Sequence, residues 1–179
     1  MSRLKAIDPN QATGKAKELL GSLQVKLGSV PNIFRTMASS PALLEGFLNF
    51  NGALQHGLLP AALREQISLA MGEYNSCTYC VSAHSMIGKG AGLSEDQIMQ
   101  SRKWQGTDPK ASAVLAFVRQ MLDNKGHSTE AELQSLRTAG LSDGEIAEVV
   151  GNVAVNIFTN YFNHTADTEV DFPLAKPLS

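Results

Sequence analysis

Ser76-Cys77-Thr78-Tyr79-Cys80-Val81-Ser82-Ala83-His84 holds both cysteines of the chain, with two residues between them and a histidine four positions after the second. Serine is a favoured helix N-cap, because its side-chain oxygen accepts an otherwise unpaired N–H of the first turn. The residues after Ser76 run free of glycine and proline until Gly88. The stretch therefore predicts a helix from Ser76 to about Lys89, with Cys77 and Cys80 in its first turn. Gly88, Gly90 and Gly92 supply its stop. Upstream, Pro60 opens a helix from Ala61 to about Glu73 that carries Leu63, Ile67, Leu69, Ala70 and Met71. Gly72 and Asn75-Ser76 interrupt it just before the cysteines. If that break is a turn, the two helices fold back on each other.

The same helical pattern extends in both directions. Residues 10 to 27 follow Asp8-Pro9 and place Ala12, Ala16, Leu19, Leu20, Leu23 and Leu27 at amphipathic spacing. Gly28 to Asn32 ends that helix, and a short apolar piece, Ile33 to Met37, follows. Ser40-Pro41 starts a helix with Leu43, Leu44, Phe47, Leu48 and Leu54, stopped by Gly57 after His56. Three capping boxes begin at Ser94, Thr129 and Ser142. They open helices to about Trp104, to about Thr138, and through a last apolar stripe of Ile146, Val149, Val150, Val153, Ile157, Phe158 and Tyr161. Asp108-Pro109 precedes one more, Lys110 to Asn124, with Val114, Phe117, Val118, Met121 and Leu122 on one face. The tail from Asp167 to Ser179, with two prolines, is expected to wrap the surface or reach a neighbour. No stretch alternates with the period of a strand. The expectation is an all-α single-domain helical bundle of about eight helices over residues 1–179, with a catalytic core at about 40–165.

Composition narrows the function. Hydrophobic residues are 43% and charged residues 18% of the chain, the range of a globular protein. A net charge of −2, from 15 basic and 17 acidic residues, gives no electrostatic reason to expect nucleic acid or an anionic membrane as partner. No apolar run approaches the roughly 20 residues that span a bilayer. The N-terminus lacks the apolar segment of a secretory signal. Two cysteines are too few for a disulfide-stapled scaffold, which a chain of 179 residues does not need. The expected location is the cytoplasm, where a Cys-x-x-Cys pair is redox-active or metal-binding rather than structural.

A thiolate at a helix start is favoured by unpaired N–H groups and the macrodipole. Cys80 and His84 share a helix face at i, i+4, so the imidazole can take the thiol proton. Cys77 can then attack a sulfenic acid formed at Cys80 and close a disulfide. By dipole position alone, Cys77 is the more acidic sulfur. A carboxylate could orient the histidine, and Glu65 and Glu73 are the candidates between which spacing does not choose. Metal is the rival reading. Cys77, Cys80 and His84 are acceptable zinc ligands, but a structural site takes four, and His56 could join only through folding. His56, His127 and His164 otherwise read as structural. No cofactor is expected.

Glu65-x11-Cys77-x2-Cys80-x3-His84 resembles the signature of the alkylhydroperoxidase D-like branch of the carboxymuconolactone decarboxylase family. Val30 to Arg35, Ser40 to Leu44, and Asn160 to His164 through Glu169 to Pro173 are similar to segments of its peroxidase-related members. The resemblance implies an all-helical fold that assembles into trimers or hexamers. It implies a thiol peroxidase acting on a small-molecule peroxide, with a dithiol or protein thiol as reductant. In that relay Glu65, through water and His84, deprotonates Cys80, and Cys77 resolves. One departure is Tyr79, which stands where the best-studied branch has a second histidine. Two other expectations remain beside this one: a non-enzymatic oligomeric module whose dithiol senses redox state or holds metal, and a lactone decarboxylase. The decarboxylases proper lack the cysteine pair.

Overall fold

A computed structural model describes residues 2–178, so the expectations drawn at Met1 and Ser179 lie outside the described residues. Nine helices and no strand occur among them: α1 Gly14–Leu27, α2 Asn32–Met37, α3 Pro41–Gln55, α4 Ala61–Tyr74, α5 Thr78–Gly90, α6 Glu95–Arg102, α7 Pro109–Asp123, α8 Glu130–Thr138 and α9 Asp143–Ala166. The fold is all-α, as its periodicity foretold. The additional helix is α2, where the short apolar piece winds into a helix on the Pro31 carbonyl, which accepts from Phe34 and Arg35. The first helix starts at Gly14 rather than residue 10. The Asp8 carboxylate accepts from the Asn10 N–H and its carbonyl from the Gln11 N–H, and the resulting turn delays the helix. All three capping boxes form, each with its reciprocal pair of bonds.

The central element is α4. Ile67, Leu69, Ala70 and Met71 are completely buried, because α5, α6, α7 and α9 pack around it. One core cluster joins α4 to α7, α8 and α9 through residues such as Val114, Leu115, Val118, Leu136 and Val149. A second joins α1, α2 and α3 to the first turn of α5, so Cys77, Tyr79 and Cys80 are core residues packed near Leu20, Met37 and Leu44. Burying apolar area at about 25 cal/mol per Å² is what holds such layers together. Among the described residues, no helix is long and apolar enough to cross a membrane.

The corner between α4 and α5 differs from the sequence reading in two respects. Gly72 does not break α4, which runs on to Tyr74. Its role is close approach, since a Cβ there would sit 3.1 Å from Val81 Cγ2 and 3.4 Å from Val81 N. The turn itself is a Schellman motif: the Ser76 N–H donates to the Glu73 carbonyl and the Cys77 N–H to the Gly72 carbonyl. Ser76 occupies the left-handed position, at φ 55°, and so is not the N-cap of α5. That place falls to Cys77, whose sulfur accepts the Cys80 N–H.

The last helix also differs. Val150 and Tyr161, expected on its apolar stripe, are exposed, while Asn152, Asn156, Asn160 and Asn163 are buried. The inward face of α9 is therefore mixed, and its polar positions are discussed below. After Asp167, which is left-handed at φ 51°, the tail lies back across the protein as an irregular strap.

Because Ser76 is exposed and its Cβ opposes the left-handed conformation, Ser76→Gly should relieve about 1 kcal/mol of strain. The expected result is a melting temperature higher by roughly 2–4 °C, measured by calorimetry. No rise, or a fall, would show that the serine conformation carries no cost.

Candidate active site at the start of α5

Cys77 and Cys80 are joined in a disulfide, with Cα atoms 5.2 Å apart. The N-cap and third positions of a helix bring two residues into this range without rearrangement. Both sulfurs lie at the positive end of α5 and are nearly inaccessible, at 1% and 3% residue exposure. Cys77 Sγ accepts the Cys80 backbone N–H at 3.2 Å. Cys80 Sγ accepts from the Asn163 side-chain Nδ2, on α9, at 3.4 Å.

One turn further along α5, His84 Nδ1 is 2.7 Å from Glu65 Oε2 on α4. The pair is partly shielded, with side-chain exposures of 23% and 14%. A carboxylate at this distance orients the ring and favours the tautomer with its proton on Nδ1. Glu73, the other candidate, is turned away: its Oε2 accepts from Arg102 Nε and Nη2, both at 2.8 Å. Of the two carboxylates that spacing left open, Glu65 is the one placed behind His84.

Tyr79, between the cysteines, faces away from this pair. Its hydroxyl accepts the Ile33 N–H at 3.2 Å, and its ring meets Phe172 edge-on at 5.5 Å. Burial pushes the phenol pKa well above its usual value. The Ile33 N–H opposes the shift, and the nearby Asp171 carboxylate adds to it. The strap is fastened at several further points around the same helix. Asp171 Oδ2 accepts the Asn32 N–H at 2.7 Å, and the Ala175 N–H donates to Ser82 Oγ at 3.2 Å. Arg102 Nη1 donates to the Lys176 carbonyl at 2.7 Å, and Lys176 pairs with Glu95 at 3.0 Å. Lys89 and Lys176 together hold the Glu95 carboxyl at about 2, below the usual carboxylate range.

His56 caps the end of α3, and His127 and His164 are exposed. Among the described residues, no group of three or more His, Cys, Asp or Glu side chains is arranged to hold a metal ion. The residues that sequence reasoning missed are on α9. Asn152, Asn156, Asn160 and Asn163 recur at three- and four-residue steps inside an otherwise apolar helix. That spacing was a legible signal for a buried polar face.

Residues 41–123, from the start of α3 to the end of α7, match the sequence model of the Carboxymuconolactone decarboxylase family. Over this stretch the chain is similar to that family. No curated protein matches the sequence. The matched segment contains Glu65, the cysteine pair and His84, whereas Asn163 and the strap lie beyond it. Solved structures extend the likeness to nearly the whole chain. A peroxidase-related protein from Ralstonia eutropha, described as an alkylhydroperoxidase AhpD core, superposes with a TM-score of 0.86 at 24% identity, over 95% of this chain and 92% of that one. A peroxidase-related protein from Silicibacter sp. gives 0.79 at 22%, over 94% of each chain. The debrominase Bmp8, in complex with 2,3,4-tribromopyrrole, gives 0.78 at 19%, over 96% of this chain and 92% of its own. At these identities the likeness establishes the fold. The neighbours bear different activity names, so the chemistry has to be argued from the site.

The Tyr79 phenol gives the fold an alkaline limit. A pKa raised in the folded state means that its contribution is complete below the unfolded value of about 10 and is lost as pH rises above it. At one pH unit above that value the loss is about 1.4 kcal/mol. Thermal melts between pH 9 and 11 should therefore fall more steeply for the native protein than for Tyr79→Phe. Parallel curves would remove the phenol as the cause.

Proposed function

We propose that the protein is a thiol-dependent peroxidase cycling the Cys77–Cys80 pair between dithiol and disulfide. The observation that carries this reading is a disulfide across the N-cap of α5 with a carboxylate-held histidine one turn away. A structural disulfide closing so small a loop would add little by chain entropy, so stability alone does not account for it. In the reduced state His84 Nε2 takes the Cys80 proton, and Glu65 balances the imidazolium. The thiolate attacks one oxygen of a hydroperoxide, an S–O bond forms and the O–O bond breaks. The leaving alkoxide takes the proton back from His84 as an alcohol. Cys77 sulfur then attacks the Cys80 sulfenic acid, the S–O bond breaks, and water leaves with the Cys77 proton. An external dithiol or protein thiol restores both thiols and is itself oxidised to a disulfide. No metal or cofactor enters the cycle.

The two other activities of the sequence reading are less well supported by the site. Lactone decarboxylation has no use for the cysteine pair, and a passive redox sensor has no use for a proton relay. The homo-oligomer, a trimer or hexamer, would bury the apolar groove of about 270 Å³ between α3 and α9, lined by Leu43, Phe47, Phe50 and Phe158 among others. Phe50 is 47% exposed in the single chain, a large area to leave in water.

Peroxide consumption under a dithiol reductant tests the reading by stopped flow. Turnover should far exceed that of the free dithiol and vanish in Cys80→Ser. Glu65→Gln should lower it by roughly 10–100-fold, the range for loss of a partner that orients a histidine. Glu73→Gln should keep activity within about twofold, because that carboxylate only pairs with Arg102. Equal losses at Glu65 and Glu73 would refute the relay. Turnover no faster than the free dithiol would refute the peroxidase.

A further inference from the structure

We propose that Asn163 is the hydrogen-bond donor that holds the Cys80 thiolate, and that it sets the acidity of Cys80 separately from that of Cys77. The proposal rests on the dithiol reading above, and it assigns to α9 a residue that touches a reacting atom. Two features of the site carry it.

The first is the asymmetry of the two sulfurs. Cys77 Sγ has the Cys80 backbone N–H, a bond intrinsic to the N-cap position. Among the described residues Cys80 Sγ has no such backbone partner; its donor is Asn163 Nδ2, brought from 83 positions away in the chain. A disulfide sulfur carries no proton, so the edge of the amide that faces it must be the N–H edge. On reduction the same N–H is in place to meet a thiolate, and hydrogen bonds to an ionised acceptor are the stronger ones.

The second is what the fold tolerates to keep this amide. Asn163 is 4% exposed, and its Oδ1 is buried without a hydrogen-bond partner among the described residues. The other asparagines of that face bond to the scaffold rather than to a sulfur, although Asn160 Nδ2 is also buried without a partner among the described residues. Asn152 Nδ2 donates to the Glu148 carbonyl, Asn156 Nδ2 to Ser68 Oγ and to the Asn152 carbonyl, and Asn160 Oδ1 accepts from Asn75. A leucine or methionine at 163 would extend the second core cluster with no unpaired oxygen. The asparagine stands where an apolar residue would pack at lower cost, and among the described residues its side-chain hydrogen bond is to the sulfur.

Ionisable groups also stand on α5 and on the elements around it. They are His84 and Tyr79 on α5, Glu65 and Glu73 on α4, Glu95 and Arg102 on α6, His164 on α9, and Asp171 and Lys176 on the strap. None of them is altered by a substitution at position 163. A difference between the two thiols on changing Asn163 therefore isolates the amide.

The test uses reduced full-length protein, with one thiol retained in each background, and titrates thiolate absorbance in the ultraviolet. In Cys77→Ser, Asn163→Ala should raise the Cys80 pKa by about one unit, a tenfold loss of thiolate below the pKa. Asn163→Asp, which keeps the size but places a carboxylate at the sulfur, should raise it further. In Cys80→Ser, Asn163→Ala should leave the Cys77 pKa unchanged. Equal shifts in both backgrounds would mean a general structural role, and no shift at Cys80 would mean no role; either overturns the proposal. If Asn163→Ala melts below the assay temperature, Asn163→Leu, which fills the site without a donor, gives the same reading at Cys80 and decides in its place. None of these readings needs peroxide turnover, so a protein that shows the Cys80-selective shift yet consumes no peroxide keeps this inference and loses the peroxidase.

Discussion

The close approach of α5 to α4 at Gly72 is the constraint on which the site depends. With no side chain at 72, Val81 can settle against the α4 backbone, and the Cys77 N–H reaches the Gly72 carbonyl. That hydrogen bond ends one helix and sets the residue that begins the next. Because the turn between them is only the left-handed Ser76, the helix start that favours a thiolate is fixed against the most buried helix of the protein. The same antiparallel packing sets Glu65, two turns before Gly72, beside His84, one turn after Cys80. One corner therefore determines where the sulfurs sit and which carboxylate meets the histidine.

Around that corner the remaining elements act as clamps. Tyr79 ties the first turn of α5 to α2 through the Ile33 N–H and to the strap through Phe172. Ser82, three residues on, takes the Ala175 N–H, and Arg102 fastens both Glu73 and the Lys176 carbonyl. These contacts bury the pair from several directions. In a low-dielectric surrounding the hydrogen bonds to each sulfur gain strength, and an unpaired polar atom gains cost. The buried asparagines of α9 belong to this balance, since they supply polarity on the one face where α9 passes the sulfurs.

Much of this was legible in the sequence. The capping boxes at Ser94, Thr129 and Ser142 announced three helix starts, because a Ser or Thr with Gln or Glu three residues on has a local reason to form there. The spacing of Glu65, Cys77, Cys80 and His84 carried the family likeness. Local chemistry did not reveal what depends on distant partners. Gly72 reads as a breaker until the helix it must admit is known, and Ser76 reads as a cap until its neighbour's sulfur is seen to take that place. Glu73 could not be separated from Glu65 without Arg102, which lies on α6. The asparagine row on α9 was visible but masked by the valines and aromatics around it.

The central claim is that this buried disulfide is one state of a working two-electron couple. Single-turnover oxidation of the reduced protein by one equivalent of hydroperoxide tests it most directly, with mass spectrometry following the Cys77 and Cys80 peptides in time. The account predicts stoichiometric closure of the disulfide, one per peroxide consumed, much faster than a free dithiol reacts, and a sulfenic acid trapped on Cys80 when Cys77 is replaced by serine. A sulfenic acid found only on Cys77 in the Cys80→Ser protein would reverse the roles of the two sulfurs, and closure no faster than that of a free dithiol would contradict the claim itself.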